Sequence, residues 1–226
     1  LENPVQNGII HIKAHGAAAS TITWHLSAIA PLNRLNPVSL EGRIVRLEPL
    51  SLQHLDAFCE IGLFPELWEH NAWPVRDRAG MVAYIEKALD GQAKGHMLPF
   101  ATTIKSTGEV VGSTRFGAID LFNKRMEIGW TWITPAWQRT AVNTEAKLLM
   151  MRHAFDTLGC NRVEWKTDAL NERSRNAILR LGARYEGCLR AHMIREDGSL
   201  RDTVYFSVLR NEWPEVERRL EARLAP

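Results

Sequence analysis

The chain has 226 residues, 45% hydrophobic and 24% charged, with 28 Lys and Arg against 26 Asp and Glu for a formal charge of +2. That composition is ordinary for a folded globular protein of one generous domain and excludes a disordered tail, a collagen and a disulfide-rich mini-domain. The near-neutral balance carries no bulk signature of nucleic-acid binding, and only the eight Trp residues are unusual.

Residues 1–39 hold three charges (Glu2, Lys13, Arg34), and 40–226 hold the other 51. The early stretch, with Gly16, Pro31 and Pro37 among Asn and Ser, reads as a low-charge extension with a short strand at 9–12. Regular signals begin at Leu40. A strand is expected at 43–47. Ser51 then caps a helix carrying Leu52, Leu55, Phe58 and Cys59 at helical spacing. Residues 64–76 form an aromatic loop, and a second helix follows with Met81, Tyr84, Ile85 and Leu89 on one face.

Strands at 99–104 and 109–116, joined by Ser106-Thr107-Gly108, read as a hairpin. After a turn at 121–124 comes a long strand at 125–133. The stretch 143–158 is expected as a helix apolar on most of its circumference, buried against a sheet and closed by Gly159. Then come a strand at 162–167, a helix at 171–181 ended by Gly182, and strands at 185–194 and 200–209 joined by Asp197-Gly198. A last helix is expected behind an Asn211 cap, with Trp213, Val216, Leu220 and Leu224 on one face.

Cys59, Cys160 and Cys188 are odd in number and in no C-x-x-C spacing, so neither a disulfide framework nor a zinc site is expected. No apolar run reaches the ~18 residues of a membrane helix, and Leu26 to Ala30 is too short for a secretory leader. The expectation is a cytoplasmic protein with no metal, no membrane and no nucleic-acid partner.

The informative unit is the strand 125–133, the loop 134–142 and the helix behind it. A loop that leaves a strand and enters a buried helix points backbone N–H groups and a helix dipole at one spot, which suits an anion. Arg139 adds a cation, and Thr140 and Thr144 add hydroxyls. The loop lacks the Gly-Lys-Ser/Thr ending of a nucleotide P-loop. Taken alone, it also reads as a plain surface loop before a capped helix. Glu127 places a carboxylate on a strand otherwise apolar and aromatic, Glu127-Ile128-Gly129-Trp130-Thr131-Trp132.

Several motifs in order carry a family resemblance: Leu40-Glu41-Gly42-Arg43, Val111-Gly112-Ser113-Thr114-Arg115, the 127–144 unit, Asn171-Glu172-Arg173-Ser174 with Leu181-Gly182-Ala183, and Arg201-Asp202-Thr203-Val204-Tyr205. From about Leu40 to Leu209 the chain resembles the GNAT acetyltransferase superfamily, in particular its Rim-type branch of ribosomal-protein N-terminal acetyltransferases. The resemblance implies a mixed α/β (α+β) domain over 40–226. Its twisted, mostly antiparallel sheet would be splayed between the fourth and fifth strands and flanked by helices. It also implies an N-acetyltransferase that moves the acetyl group of acetyl-CoA directly to a primary amine, a protein N-terminus or a small molecule. Dimers are frequent among such proteins, and the strand-rich C-terminus suits a homodimer.

The resemblance further implies acetyl-CoA in the gap between strands 125–133 and 162–167. The pantetheine would run beside Trp132 and Ile133, and the pyrophosphate would sit on the N–H groups of the loop Gln138, Arg139, Thr140, Ala141, Val142, Asn143 and Thr144. Asn171 would reach the pantetheine, or serve as a plain helix cap. Ala141 and Asn143 replace two small residues of the family pattern, a change that leaves the site modified rather than dead as long as Ala141 keeps a negative φ.

Amide formation needs a base for the incoming ammonium, and a carboxylate in an apolar cleft can fill that role. Glu127 is the candidate, with a partly exposed strand charge as the other reading. The family's usual tyrosine acid falls at Ile178, so the donor is absent. Ser174 is the replacement, or an ordinary first-turn serine. A backbone N–H near Ile133 would meet the oxyanion. Trp68, Trp73 and Arg190 are candidates for acceptor binding, with His70, Arg76 and His192 nearby; ordinary packing under a long loop is the competing reading of the aromatics. His153 reads as a core histidine. A non-catalytic acyl-CoA-binding module using the same cleft is the alternative, motivated by Ala141, Asn143 and Ile178.

Overall fold

The computed structural model describes residues 35–225. The expected strand at 9–12 and most of the low-charge extension lie outside the described residues. Leu35 and Val38 already pack against the main core, ahead of the expected domain start at 40.

Eight strands form one sheet: β1 (Leu40–Glu41), β2 (Val45–Pro49), β3 (Leu98–Ile104), β4 (Val110–Asp120), β5 (Arg125–Ile133), β6 (Arg162–Asp168), β7 (Arg184–Ile194) and β8 (Leu200–Leu209). Their order is β1-β2-β3-β4-β5-β6-β8-β7. Every neighbouring pair is antiparallel except β5 and β6. A parallel pair cannot be closed by a hairpin, and the long connection it needs is supplied here by a helix. The helices are α1 (Leu55–Gly62), α2 (Arg78–Ala93), α3 (Ala141–Arg152), α4 (Glu172–Arg180) and α5 (Trp213–Leu224), with α3 continuing as a π-helical turn over His153–Thr157.

The helices bury different faces. Phe58, Met81, Ile85 and Ala88 from α1 and α2 meet Ala101 and Trp132 on one face of the sheet. Val142, Ala146, Met150 and Met151 from α3, with Val216 and Leu220 from α5, meet Phe116, Ile128, Val163 and Phe206 in the larger core on the other. Leu40–Glu41 makes an extra first strand, so the expected fourth and fifth strands are β5 and β6 here. They do part: only Arg125–Glu127 pairs with Arg162–Glu164. From Ile128 onward the edge of β5 turned towards β6 has no strand against it.

Several expected boundaries shift. The strand expected to stop at 116 runs to Asp120. Helix α3 starts two residues before Asn143, because Thr140, extended at φ −99°, is the cap and accepts from Val142 N–H. Asn143 is therefore a helical residue rather than a terminus. Glu212, not Asn211, precedes α5, with Pro214 in its first turn. Gly159 and Gly182 end their helices in the left-handed region, at φ +66° and +97°.

Helix α3 also buries two charged residues. Glu145 is 4% exposed because its carboxylate accepts N–H groups from Arg43, Ile44 and Val45 at 3.0, 2.7 and 2.7 Å, anchoring the entry to β2. Lys147 is 3% exposed and donates to Thr114 and Thr131 hydroxyls, both at 2.7 Å.

Candidate active site

Glu127 is the last residue of β5 paired with β6, so its carboxylate stands where the two strands separate. It is 3% exposed. Burial raises its pKa above the ordinary carboxylate value, and Lys166, with Oε2 2.8 Å from Nζ, opposes the rise without cancelling it. The contact is an ion pair outside hydrogen-bond angles, so Oε2 keeps an unused acceptor position. Burial is the largest single influence on Lys166 and would lower it, but contact with Glu127 and the charges of Tyr205 and Glu164 together hold the ammonium above its usual value.

Three residues beyond Glu127 the strand bulges. Trp130 adopts φ +50°, and two residues of β5, Trp130 and Thr131, stand opposite one of β4. The bulge turns the Trp130 ring onto the α2 side of the sheet. There it lies so close to Gly117 that a Cβ at that position would sit 2.3 Å from the ring. Arg115 is sandwiched beside it, its guanidinium 4.5 Å from the Tyr84 ring centre and 5.2 Å from that of Trp130. Arg115 is 1% exposed and has no carboxylate partner among the described residues, and its Nε and Nη2 are unsatisfied. Lys166 lies 5.8 Å over the same indole.

After the bulge the strand resumes its alternation. Thr134 N–H goes to Val111 O, so the N–H and C=O of Ile133 face away from β4 into the gap. The Ile133 carbonyl accepts from Gln138 Nε2 at 2.9 Å, while its N–H is left as a donor. Because β5 and β6 run parallel, both end at the wide side of the gap, and each is followed by a helix N-terminus, α3 behind Thr140 and α4 behind Asn171. Arg173 Nη1 reaches Gln138 Oε1 at 3.4 Å across this mouth. Two helix dipoles thus point their positive ends at one opening.

In the loop, the left-handed residue is Arg139, at φ +62°, and Ala141 is helical. Ala141 therefore keeps a negative φ. Val142 is buried, Thr144 half-buried, Arg139 and Thr140 exposed. Asn143 Oδ1 is buried with no partner. Asn171 acts as the α4 cap, its Oδ1 accepting from Ser174 N–H at 2.9 Å. Ser174 is half-buried, and its hydroxyl has no hydrogen-bond partner among the described residues. Ile178 is a core residue at 6% exposure.

Other candidates fall elsewhere. Trp68 is 5% exposed and packs on Tyr84 and Trp132 at 5.5 and 6.2 Å, with its indole N–H bonded to Gly62 O; it is a packing residue, not an open wall. Trp73 is 65% exposed on the loop between α1 and α2. That loop is tied to the β7–β8 turn by Glu196 N–H to Ala72 O and by the Arg76–Glu196 ion pair. Arg190 is exposed in a bulge of β7. Trp132 is buried with its Nε1 unpaired, and Trp165 lies in the larger core. His153 is half-buried near Phe116, and burial lowers its pKa. The described residues hold no cluster of three metal-ligating side chains and no helix long and apolar enough to cross a membrane.

The mixed sheet thus parts at its parallel pair, with a buried carboxylate at the vertex and two helix N-termini at the mouth. The acetyltransferase (GNAT) domain family matches residues 45–184, and the chain belongs to that family. It is similar to an uncharacterized N-acetyltransferase, p20, of Bacillus licheniformis: 29% identical over 168 residues, covering 74% of this chain and 93% of p20. Among solved structures it resembles a GCN5-related N-acetyltransferase from Brucella melitensis, with a TM-score of 0.78, 36% identity and coverage of 85% and 88% of the two chains. RimJ of Mycobacterium smegmatis, solved in complex with CoA-disulfide, shares the fold at a TM-score of 0.70 and 21% identity over 83% of this chain and 95% of that one.

Proposed function

We propose that this protein transfers the acetyl group of acetyl-CoA directly to a primary amine in a ternary complex, the amine being a protein N-terminus or a small molecule. The observation that carries the reading is the unpaired edge of β5, which begins just past Glu127 and opens onto the α3 N-terminus. The residues present suit the cosubstrate. Ile133 offers a strand-edge N–H to an amide-bearing arm, Asn143 Oδ1 and Trp132 Nε1 are buried and unmatched, and the first turn of α3 carries no acidic side chain against a pyrophosphate.

Acetyl-CoA supplies the activated acyl carbon as a thioester. Glu127 takes the proton of the incoming ammonium, directly or through water, helped by the upward pull of burial on its pKa. A backbone N–H near Ile133 meets the charge that develops on the carbonyl oxygen. Ser174 donates toward the departing sulfur, and Asn171 holds the α4 turn that carries it. Trp73 and Arg190 border the side on which the acceptor arrives. Free thiols at Cys59, Cys160 and Cys188 suit a reducing, cytoplasmic setting.

A second reading, a non-catalytic acyl-CoA-binding module, is favoured by Ile178, which puts an apolar core residue where many relatives would carry an acid. Thermal-shift titration with acetyl-CoA tests the cleft. CoA release over a panel of amines and peptides then separates the two readings: turnover supports the transferase, and binding without turnover on any acceptor supports the module.

A further inference from the structure

One face of β6 and β8 carries groups that the reaction above leaves unused. Side chains alternate along strands, and the register pairs Lys166 with Tyr205 and Asp168 with Thr203, so Glu127, Lys166, Asp168, Arg201, Thr203 and Tyr205 share a face. Asp168 is fully matched. At 1% exposure it accepts from Leu170 N–H at 2.9 Å and pairs with Arg195 at 2.5 Å; burial pushes its pKa up, but these contacts prevail and hold it low.

Arg201 has a counter-charge but no hydrogen bond among the described residues. Its Nε is 3.7 Å from Asp168, and its side chain is only 11% exposed. Burial lowers its pKa, and the nearby Asp168 and Glu127 charges only partly offset this. On the same strand Thr203 Oγ1 is at 0% exposure with no partner. A buried, idle guanidinium donor beside a buried, idle hydroxyl is costly unless an acceptor joins them. Lys166, Arg195 and Arg201 stand among three carboxylates, Glu127, Glu164 and Asp168, of which Glu164 is already held by Arg162 and Arg125. Arg115 behind Trp130 is a further cation, with no carboxylate of its own among the described residues. The loop between α1 and α2 is tied to the β7–β8 turn at the Arg201 end of this face.

We infer that the acceptor is an amino-carboxylate compound, whose carboxylate is received by Arg201 and Thr203 while its amine faces Glu127. This rests on the transfer reading given above for the same cleft. The shared chemistry, a primary amine with a carboxylate a few bonds away, occurs in a free amino acid and in a peptide led by an acidic residue.

The test is CoA release from acetyl-CoA with matched acceptors, alanine against alaninamide and an Asp-led peptide against its Asn-led twin, beside a neutral aryl-alkyl amine. The carboxylate member of at least one pair is expected to have kcat/KM ten-fold or more above its amide twin. The pair that shows the preference tells free amino acid from peptide. Arg201→Gln should abolish the preference while leaving turnover of the neutral amine and the acetyl-CoA thermal shift intact, and Thr203→Val should reduce it. Equal use of both twins, or a preference that survives Arg201→Gln, overturns the inference. Calorimetric titration of the CoA-loaded protein with the same compounds separates the two levels. Carboxylate-dependent binding without turnover keeps the ligand class and removes the transfer reading; turnover of neutral amines with no carboxylate dependence does the reverse.

Discussion

Glu127 and Lys147 are both buried ionisable residues, and their surroundings treat them differently. Glu127 keeps a counter-charge and an open acceptor position, so its proton can move. The Glu127→Gln variant is expected to lose 10²–10⁴-fold in kcat/KM and the acidic limb of the pH–rate profile, which lies above the ordinary carboxylate pKa. Full kcat/KM in that variant at every pH removes the assignment. Lys147 has only two hydroxyls for company, and burial pulls its pKa from 10.5 to about 7. Below pH 7 folded and unfolded chains both hold the proton, and the cost of the buried charge is felt in full. Between about 7 and 10.5 the unfolded chain holds more of it, so stability rises with pH. Lys147→Met should flatten that rise and stabilise the protein by about 1–3 kcal/mol at pH 7, as apolar replacement of buried charge often does. The Thr114–Thr131 hydroxyl pair, 2.8 Å apart, stays satisfied. Urea unfolding between pH 7 and 9.5 reads both effects, and a less stable variant with an unchanged slope would contradict the argument. Glu127 stood out in the sequence because a lone carboxylate interrupts an apolar strand. Lys147 and Glu145 did not, because their partners are 16 to 102 positions away and nothing local marks them.

At the scale of elements, alternation and helical spacing were enough to find the long strands and helices, and resemblance supplied the parting of the sheet. The bulges were hidden, since an extra residue in one strand is defined only against its neighbour. The bulge at Trp130 matters most, because it swings an indole over Gly117 and sets the wall beside Glu127. Gly117→Ala should force the ring away and cost about 1–3 kcal/mol, as overpacking does. If Trp130 forms part of the acceptor side, KM for the amine rises with little change in acetyl-CoA affinity; kinetics with each substrate varied in turn distinguish the two. The start of α3 also eluded the sequence. Thr140 and Asn143 are both good capping residues, and only the backbone at Arg139 decides for the first. Thr140→Ala should cost about 1 kcal/mol in thermal or urea unfolding through loss of the bond to Val142 N–H.

The whole molecule joins its sheet by unequal seams. β7 and β8 pair along most of their length, but β7 is exposed on its outer side and broken by the bulge around Arg190, Ala191 and His192, with Ala191 at φ +49° held by Asp202. An interrupted edge discourages open-ended strand addition. A homodimer through this region, expected from the family resemblance, should appear as twice the monomer mass in light scattering and be weakened by Arg190→Pro. The seam between β5 and β6 is far shorter, three residue pairs in all. Acetyl-CoA lying against β5 would serve there as a removable strand, and hydrogen exchange at Thr131 and Ile133 should slow when it is added. A ligand at a hundred times its Kd contributes about 2.7 kcal/mol to a native state. The seam that gives the enzyme its cleft would then make the protein's lifetime in the cell follow the acetyl-CoA supply: well-fed cells would keep it, and starved cells would expose it to their proteases.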